Sequence, residues 1–217
     1  MGKTSGLAEM KATSSDTTSL KNKEQLQRTL SAEDVALQGR ELVELFVVNL
    51  LKEDHLPNVP SPDELHEPTS PPAPPLSNKQ RIVDCLRKAA DELDADAEVA
   101  GLIQKIPANM EKETFWKVAK TVVSKDGFNW GQIVTLMYLA YKLIKRSVSE
   151  LPLVRRIVVW TTDFIRENVA NWIIAQGGWD AFQTYFERHH RSLLTVSWVL
   201  LVGSVLTAVY LMMRNAR

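Results

Sequence analysis

The longest uncharged stretch of the chain constrains its fold more than any other segment. Residues 192–213 carry no charged side chain, and basic residues flank them on both sides, at Arg188–Arg191 and Arg214–Arg217. As a helix this stretch would be roughly 30 Å long, the thickness of a bilayer's hydrocarbon core. A buried core helix is the alternative, but its 22 residues are many for one. We therefore expect a transmembrane helix that anchors a domain made in the cytosol. The residues expected in this anchor include Leu193, Trp198, Ser204 and Met213.

The composition argues against several classes of function. Lys plus Arg and Asp plus Glu number 26 each, so no basic surface for nucleic acid is indicated. A single cysteine, Cys85, excludes a disulfide framework within the chain and suits a reducing compartment. The histidines and this cysteine show no common metal-ligand spacing, and no phosphate loop or activated nucleophile is visible. We therefore expect neither a cofactor nor enzyme activity, and a tail-anchored enzyme is the least favoured reading.

Polar and proline-rich segments set the organisation of the first third of the chain. Residues 1–30 are polar with few large apolar groups, which predicts disorder. Ser31 is placed to begin a helix that reaches about Lys52. Residues 54–78 hold eight of the ten prolines, which predicts an extended linker. Recognition of this segment by a partner is the alternative. The predicted domain is therefore a helical bundle over residues 31–190, with 54–78 as its loop.

Helical periodicity dominates the remainder. The predicted helices cover 79–98, 99–105, 113–124, 130–147, 153–174 and 179–188. Because no segment alternates like a strand, the fold class is all-α. The helix at 130–147 is apolar nearly all round, which predicts that it lies at the centre of a bundle or in lipid. Together with 153–174 it forms a central hydrophobic hairpin, whose six basic residues against three acidic ones suit an anionic bilayer surface.

One amphipathic helix has the pattern of a helix that binds in a groove. Apolar residues at spacings of four, three and four share one face, and a small residue and a carboxylate follow the third of them. A helix-surface carboxylate without a docking role is the alternative reading. The residues of this docking helix are Ile82, Leu86, Ala89, Ala90, Asp91 and Leu93.

A second motif stands at the start of the apolar helix. Asn129 is placed to cap that helix, and Gln132 occupies the reciprocal capping position three residues later. Gly131 leaves the backbone bare between them, so we expect that a ligand could approach closely here.

A third motif ends the hairpin. Gly177 can terminate one helix, and together with Gly178 it allows a sharp turn. Trp179 then begins the next helix, with Asp180 favourably placed near its N-terminal dipole.

The order of these three motifs, followed by a terminal apolar stretch, resembles the Bcl-2 family of apoptosis regulators. The pieces that carry the resemblance are Leu86-x-x-x-Ala90-Asp91, Asn129-Trp130-Gly131 and Gln176-Gly177-Gly178-Trp179, which match its third, first and second homology regions. Within the family the chain is most similar to the pro-apoptotic effectors, through Phe128–Gly131, Trp160–Glu167 and Ala175–Ala181. The resemblance covers the chain from about residue 31 onwards.

The resemblance implies a bundle of about eight helices around the central hairpin, with a groove that takes a partner's docking helix. The implied groove residues are Leu102, Ile106, Phe115, Val118, Val122, Asn129, Trp130, Gly131, Gln132, Ile133 and Met137. The implied partners are docking-helix-only activators, pro-survival family members, further copies of the chain and mitochondrial membrane lipid. The implied locations are the cytosol and the mitochondrial outer membrane.

The resemblance implies an effector that is triggered by docking-helix ligands, inserts in the mitochondrial outer membrane, oligomerises and permeabilises it. A pro-survival guardian that holds such helices in its groove is the alternative. Most family members carry Arg where this chain has Gln132, and a larger apolar residue where it has Ala89. A neutral amide cannot form the charge-assisted fork of Arg, and Ala89 is a smaller apolar anchor. Both departures therefore predict weaker docking. The tail of such proteins can also occupy the groove, so 192–213 is expected to compete for it.

Overall fold

The structure, a computed structural model, describes residues 30–66, 69–95, 104, 106–107, 110–123 and 128–189. Within these ranges it contains α-helices and a π-helical segment, and no strand. We number the helices α1 Ala32–Glu53, α2 Pro62–Leu65, α3 Lys79–Asp94, α4 Lys112–Val122, α5 Trp130–Arg146, α6 Leu151–Phe164, α7 Ala170–Gln176 and α8 Asp180–His189. The all-α prediction is confirmed for this part of the chain.

Several helix ends lie where the sequence places them. Asn129 and Gln132 form the reciprocal cap at the start of α5, with each side chain bonded to the other residue's backbone N–H. Gly177 ends α7 in the left-handed conformation, with φ of 103°, which its lack of a Cβ allows. The helix after it begins at Asp180 rather than Trp179, with the carboxylate in the first turn.

The core forms where α1 and the hairpin meet. Helices α5 and α6 pack against each other, and α1 packs against both of them as well as against α3 and α7. On the other sides, α4 contacts α5 and α6, and α8 contacts α3. Helix α5 is buried along almost its whole length, from Trp130 to Ile144. The apolar helix of the sequence therefore lies at the centre of the bundle.

The proline-rich segment contains the short helix α2, so the prediction of an extended linker over 54–78 is wrong at this place. Ser61 caps α2, and the Glu64 side chain returns a bond to the Ser61 backbone N–H. Pro62 stands at the first helical position, where a missing N–H costs nothing. Pro152 likewise lies in the first turn of α6.

The second helix of the hairpin changes its winding before it ends. A π-helical segment, Ile165–Val169, joins α6 to α7, where the sequence predicts one helix over 153–174. In this segment Arg166 pairs with Glu33 on α1 at 2.8 Å and with Asp163 at 2.9 Å. The wider turn is a change of backbone winding that side-chain periodicity does not predict.

Some expectations fall outside the described residues. These are the disorder of 1–29, most of the helix at 99–105 with Leu102, and the anchor at 192–213 with Leu193, Trp198, Ser204 and Met213. Across the described ranges, no helix combines the length and the apolar character needed to span a membrane.

Candidate functional site

The docking helix is seated in the bundle by its apolar face. Five of its predicted residues are buried in α3: Ile82, Leu86, Ala89, Ala90 and Leu93. The buried face is wider than predicted, because it also includes Val83 and Cys85. Burial raises the pKa of the Cys85 thiol, so this cysteine is a packing residue and not an activated nucleophile.

Two ion pairs join the docking helix to α1. Lys79, at the start of α3, pairs with Glu41, and Arg87 pairs with Glu53 near the end of α1. Both pairs are partly exposed, so each contributes little to stability. They set the register of α3 along α1 but add little to the free energy that keeps the two helices together.

A polar cluster on α5 holds the C-terminal ends of the docking helix and of α1. The Tyr138 hydroxyl donates to Asp94 Oδ1 at 2.6 Å, and Lys142 pairs with the same carboxylate. One turn further along α5, Tyr141 donates to Asp54, and Lys145 Nζ lies 2.8 Å from Asp54 Oδ1. We call Tyr138, Tyr141, Lys142 and Lys145, with Asp54 and Asp94, the α5 clasp.

The pKa values in the α5 clasp follow from these contacts. Partial burial raises the pKa of Asp94, but hydrogen bonds from Lys142 and Tyr138 outweigh that effect and leave it below its ordinary value. Burial and the hydrogen bond to Asp94 raise the pKa of Tyr138. At neutral pH Asp94 is therefore ionised and Tyr138 is protonated, as the hydrogen bond between them requires.

The aspartate of the docking helix lies at the surface. Asp91 is exposed, whereas the apolar residues of α3 are buried. Partial desolvation and the Glu53 carboxylate raise its pKa, and Arg87 lowers it. The charges that act on Asp91 thus come from α1 and from α3 itself.

Trp130, Gly131 and the neighbouring Gln132 are buried at the start of α5. Gln132 is 2 % exposed, and its carboxamide oxygen accepts the Asn129 N–H at 3.1 Å. Gly131 is buried as well, and its carbonyl accepts the Thr135 hydroxyl at 3.0 Å. The open backbone that we expected at Gly131 is therefore not present in this state.

The other predicted groove residues face inward. Helices α4 and α5 carry most of them, and Phe115 lies with its ring centroid 6.0 Å from that of Trp160 on α6. Asn129 is half-buried. The described groove residues that are buried are Ile106, Phe115, Val118, Val122, Trp130, Gly131, Gln132, Ile133 and Met137.

The second-homology residues join α7 and α8 to the first-homology residues. Gly177 and Gly178 both have positive φ, 103° and 82°, which turns the chain sharply enough to bury Trp179. The Trp130 ring contacts the rings of Trp172, Trp179 and Phe182 at centroid distances of 4.9, 6.1 and 5.4 Å. Trp130, Trp172 and Trp179 are therefore packing residues.

Sequence reasoning missed the polar residues that hold the docking helix. The apolar pattern at 130–147 includes Tyr138 and Tyr141 without indicating their polar partners, and no motif marks Glu41 or Glu53. A signal was available, since Tyr138, Tyr141, Lys142 and Lys145 are spaced so that they share one side of α5. Their partners are far away in sequence, and only the fold brings them together.

Comparison with known proteins agrees with this architecture. Residues 86–179 match the profile described as "Apoptosis regulator proteins, Bcl-2 family". The chain is 36 % identical to apoptosis regulator BAX of Homo sapiens over 142 residues, which are 63 % of this chain and 70 % of that protein. It is 31 % identical to apoptosis regulator Bcl-2 of Gallus gallus over 137 residues, 56 % of this chain and 58 % of that protein.

A solved structure shows the same fold. The crystal structure of chicken BOK superposes with a TM-score of 0.56 at 20 % sequence identity, covering 72 % of this chain and 98 % of that one. The described bundle is thus a Bcl-2-like helical fold. The fold and the sequence relatives indicate the same family. The chain therefore belongs to the Bcl-2 family of apoptosis regulators.

Proposed function

We propose that this protein is a Bax-like pro-apoptotic effector. A docking-helix ligand triggers it, α3 leaves the bundle, and the protein inserts in the mitochondrial outer membrane. Copies then associate through exchanged docking helices, at first as symmetric dimers, and the oligomer permeabilises the bilayer. The partners in this account are docking-helix-only activators, pro-survival family members, other copies of the chain and mitochondrial lipid.

One observation carries this proposal: the chain's own docking helix is seated by an apolar face and held at its edges by a few polar contacts. Ile82, Leu86 and Leu93 are buried, so their face is available for a second groove once α3 leaves. The contacts that hold its edges are the ion pairs to α1 and the α5 clasp. Such partly exposed pairs contribute modestly to stability. Burial of the apolar face is therefore the main cost of releasing α3, and a ligand that buries the same groove surface offsets that cost.

A pro-survival guardian of the same fold is the second candidate. The chain's 31 % identity to chicken Bcl-2 supports it, and the same groove would then hold the docking helices of other proteins. The greater identity and coverage with BAX favour the effector.

Dye release from cardiolipin-containing liposomes tests the two candidates. The full chain is added with a synthetic peptide of its own sequence Lys79–Asp94 as the activating ligand. The matched control is the same peptide with the substitution Leu86→Glu, which puts a charge on its buried face. We expect release with the first peptide and little release with the second.

The guardian predicts a different result in the same assay. It would bind the peptide without releasing dye, and it would protect the liposomes from a second effector added afterwards. Binding without release, together with such protection, would overturn the effector proposal.

A further inference from the structure

A half-open cavity of about 740 Å³ is lined by α1, by the proline-rich segment with its helix α2, and by the start of α3. Its volume lies in the range of small-molecule sites, which is about 300–1,000 Å³. One part of the lining is apolar and consists of Leu45, Pro62, Pro72 and Ala73. The other part is polar and contains several charged side chains, so the cavity can contact a ligand that has both an apolar and a charged part.

Glu44 presents an unused hydrogen-bond acceptor in the wall of this cavity. The residue is 4 % exposed, and no donor among the described residues bonds to its Oε1 atom. Arg40 Nε and His66 Nδ1 each lie 3.6 Å from that oxygen, which is too far for a hydrogen bond, and His66 is charged only when protonated. Buried polar atoms in folded proteins nearly always have a partner, so this oxygen points to one that the chain itself does not supply.

The charged groups of the cavity leave one carboxylate in excess. Lys79 pairs with Glu41, which leaves Arg40 as the cation for both Glu44 and the exposed Asp63. Burial raises the pKa of Glu44 to about 7, Arg40 opposes that shift, and Glu41 and Asp63 add to it. A further positive charge at this place would therefore be stabilised by the carboxylates around it.

We propose that the cavity binds a primary ammonium group at the end of an aliphatic chain, with Glu44 Oε1 as its acceptor. A guanidinium is best matched by two parallel acceptors, whereas an ammonium is a compact point charge. A single buried and unused carboxylate oxygen, with Asp63 nearby, fits the ammonium better. The apolar lining at Leu45, Pro62 and Pro72 then contacts the aliphatic chain. Free alkylamines and the lysine side chains of other proteins share this chemistry.

A ligand in this cavity contacts parts of the chain that are distant in sequence. Glu44 lies on α1, Asp63 on α2 and Ala73 further along the proline-rich segment, and all three line the same space. Because the fold brings them together, the ligand binds the folded bundle and stabilises it by mass action. The inference is independent of whether the protein is an effector or a guardian.

An NMR titration of the full, ¹⁵N-labelled chain with hexylamine tests the site. Hexanol is the matched control, because it has the same aliphatic chain without the charge. We expect hexylamine to shift the amide signals of Glu44, Leu45 and Ser70 with a dissociation constant in the millimolar range, and hexanol to leave them in place. Nα-acetyl-lysine amide is titrated as a second amine. Shifts with both amines would assign the site to lysine side chains as well, and shifts with hexylamine alone would restrict it to free amines.

Matched variants test whether the carboxylates bind the ammonium group. Glu44→Gln keeps the size of the side chain but removes its charge, and it should weaken hexylamine binding by about tenfold or more. Asp63→Asn changes an exposed residue and should weaken binding several-fold, so it also decides the matter if Glu44→Gln does not fold. Glu113→Gln removes an exposed carboxylate of α4 and should bind like the parent.

Three results would overturn the proposal. The first is an absence of shifts with both amines, which would leave water as the partner of Glu44 Oε1. The second is hexanol binding as tightly as hexylamine. The third is unchanged hexylamine affinity in a folded Glu44→Gln protein or, if that variant does not fold, in Asp63→Asn.

Discussion

The indole of Trp179 lies directly on Gly39, so that a Cβ at position 39 would stand 2.9 Å from Trp179 Cζ2. Trp179 is held there, because its Nε1–H donates to the Val35 carbonyl at 2.9 Å. The indole of the second homology region can therefore pack against α1 at this position because glycine, which has no side chain, leaves room for it. Ile165, in the π-helical segment, occupies the other side of the same space.

Replacing Gly39 by alanine should destabilise the protein. Alanine in a helix interior gains about 1 kcal/mol of helix propensity over glycine, but overpacking a filled core costs about 1–3 kcal/mol. We expect a net loss of about 1 kcal/mol in the free energy of unfolding, measured in urea. In a Trp179→Phe background the loss should shrink, since the contacting ring edge is gone. A Gly39→Ala protein that is more stable than the parent would contradict this packing.

Removing one hydroxyl from the α5 clasp should loosen the docking helix. Tyr138→Phe deletes one of the two donors to Asp94, for a loss of about 1 kcal/mol. Amide exchange near the end of α3 should then rise several-fold. Tyr141→Phe is the matched control, because its partner Asp54 follows α1. It should not raise exchange in α3, and equal effects of the two variants would mean that the contact with Asp94 is not specific.

The contribution of Glu44 to stability should depend on pH. Its pKa is about 7 in the folded protein against an ordinary value of 4.5, so the folded state binds the extra proton between these values. The stability of the parent relative to Glu44→Gln should therefore be highest below pH 4.5 and fall as the pH approaches 7. The total change is up to about 3 kcal/mol. Urea titrations at several pH values measure it, and a difference that stays constant or grows with pH would refute the assignment.

Restoring the usual family residue at position 132 should strengthen docking. Gln132→Arg supplies a guanidinium that can form a bidentate, charge-assisted pair with a ligand's aspartate. It also removes the oxygen that caps Asn129, so the free energy of unfolding should fall by about 1 kcal/mol. Calorimetry with the Lys79–Asp94 peptide should show tighter binding.

A capping variant separates the two effects of Gln132→Arg. Asn129→Ala also breaks the reciprocal cap of α5, but it adds no charge. If it tightens peptide binding as much as Gln132→Arg does, then loosening of α5, and not the guanidinium, explains the gain.

Signals that act over a few residues explain what the sequence could predict. The cap formed by Asn129 and Gln132 and the left-handed Gly177 depend on neighbours along the chain, and both are present. The seated apolar face of α3 also follows from spacing alone. These features determine where helices begin and end and which side of each is buried.

Contacts between distant segments explain what the sequence could not predict. No local pattern marks Gln38 and Arg40, because their hydrogen bonds are to a proline-rich segment more than thirty residues away. The burial of Gln132 depends on how its neighbours pack over it. Such contacts form only in the tertiary fold, so no local sequence pattern predicts them.

Amide exchange of α3 during membrane permeabilisation tests the central claim most directly. The full chain is mixed with cardiolipin-containing liposomes and the Lys79–Asp94 peptide, and exchange in residues 79–94 of the protein is followed together with dye release. The peptide is isotopically labelled so that its own signals are distinct. We predict that α3 loses protection before or together with the release of dye. Dye release while α3 remains protected would contradict the account, because permeabilisation would then proceed without the docking helix leaving the bundle.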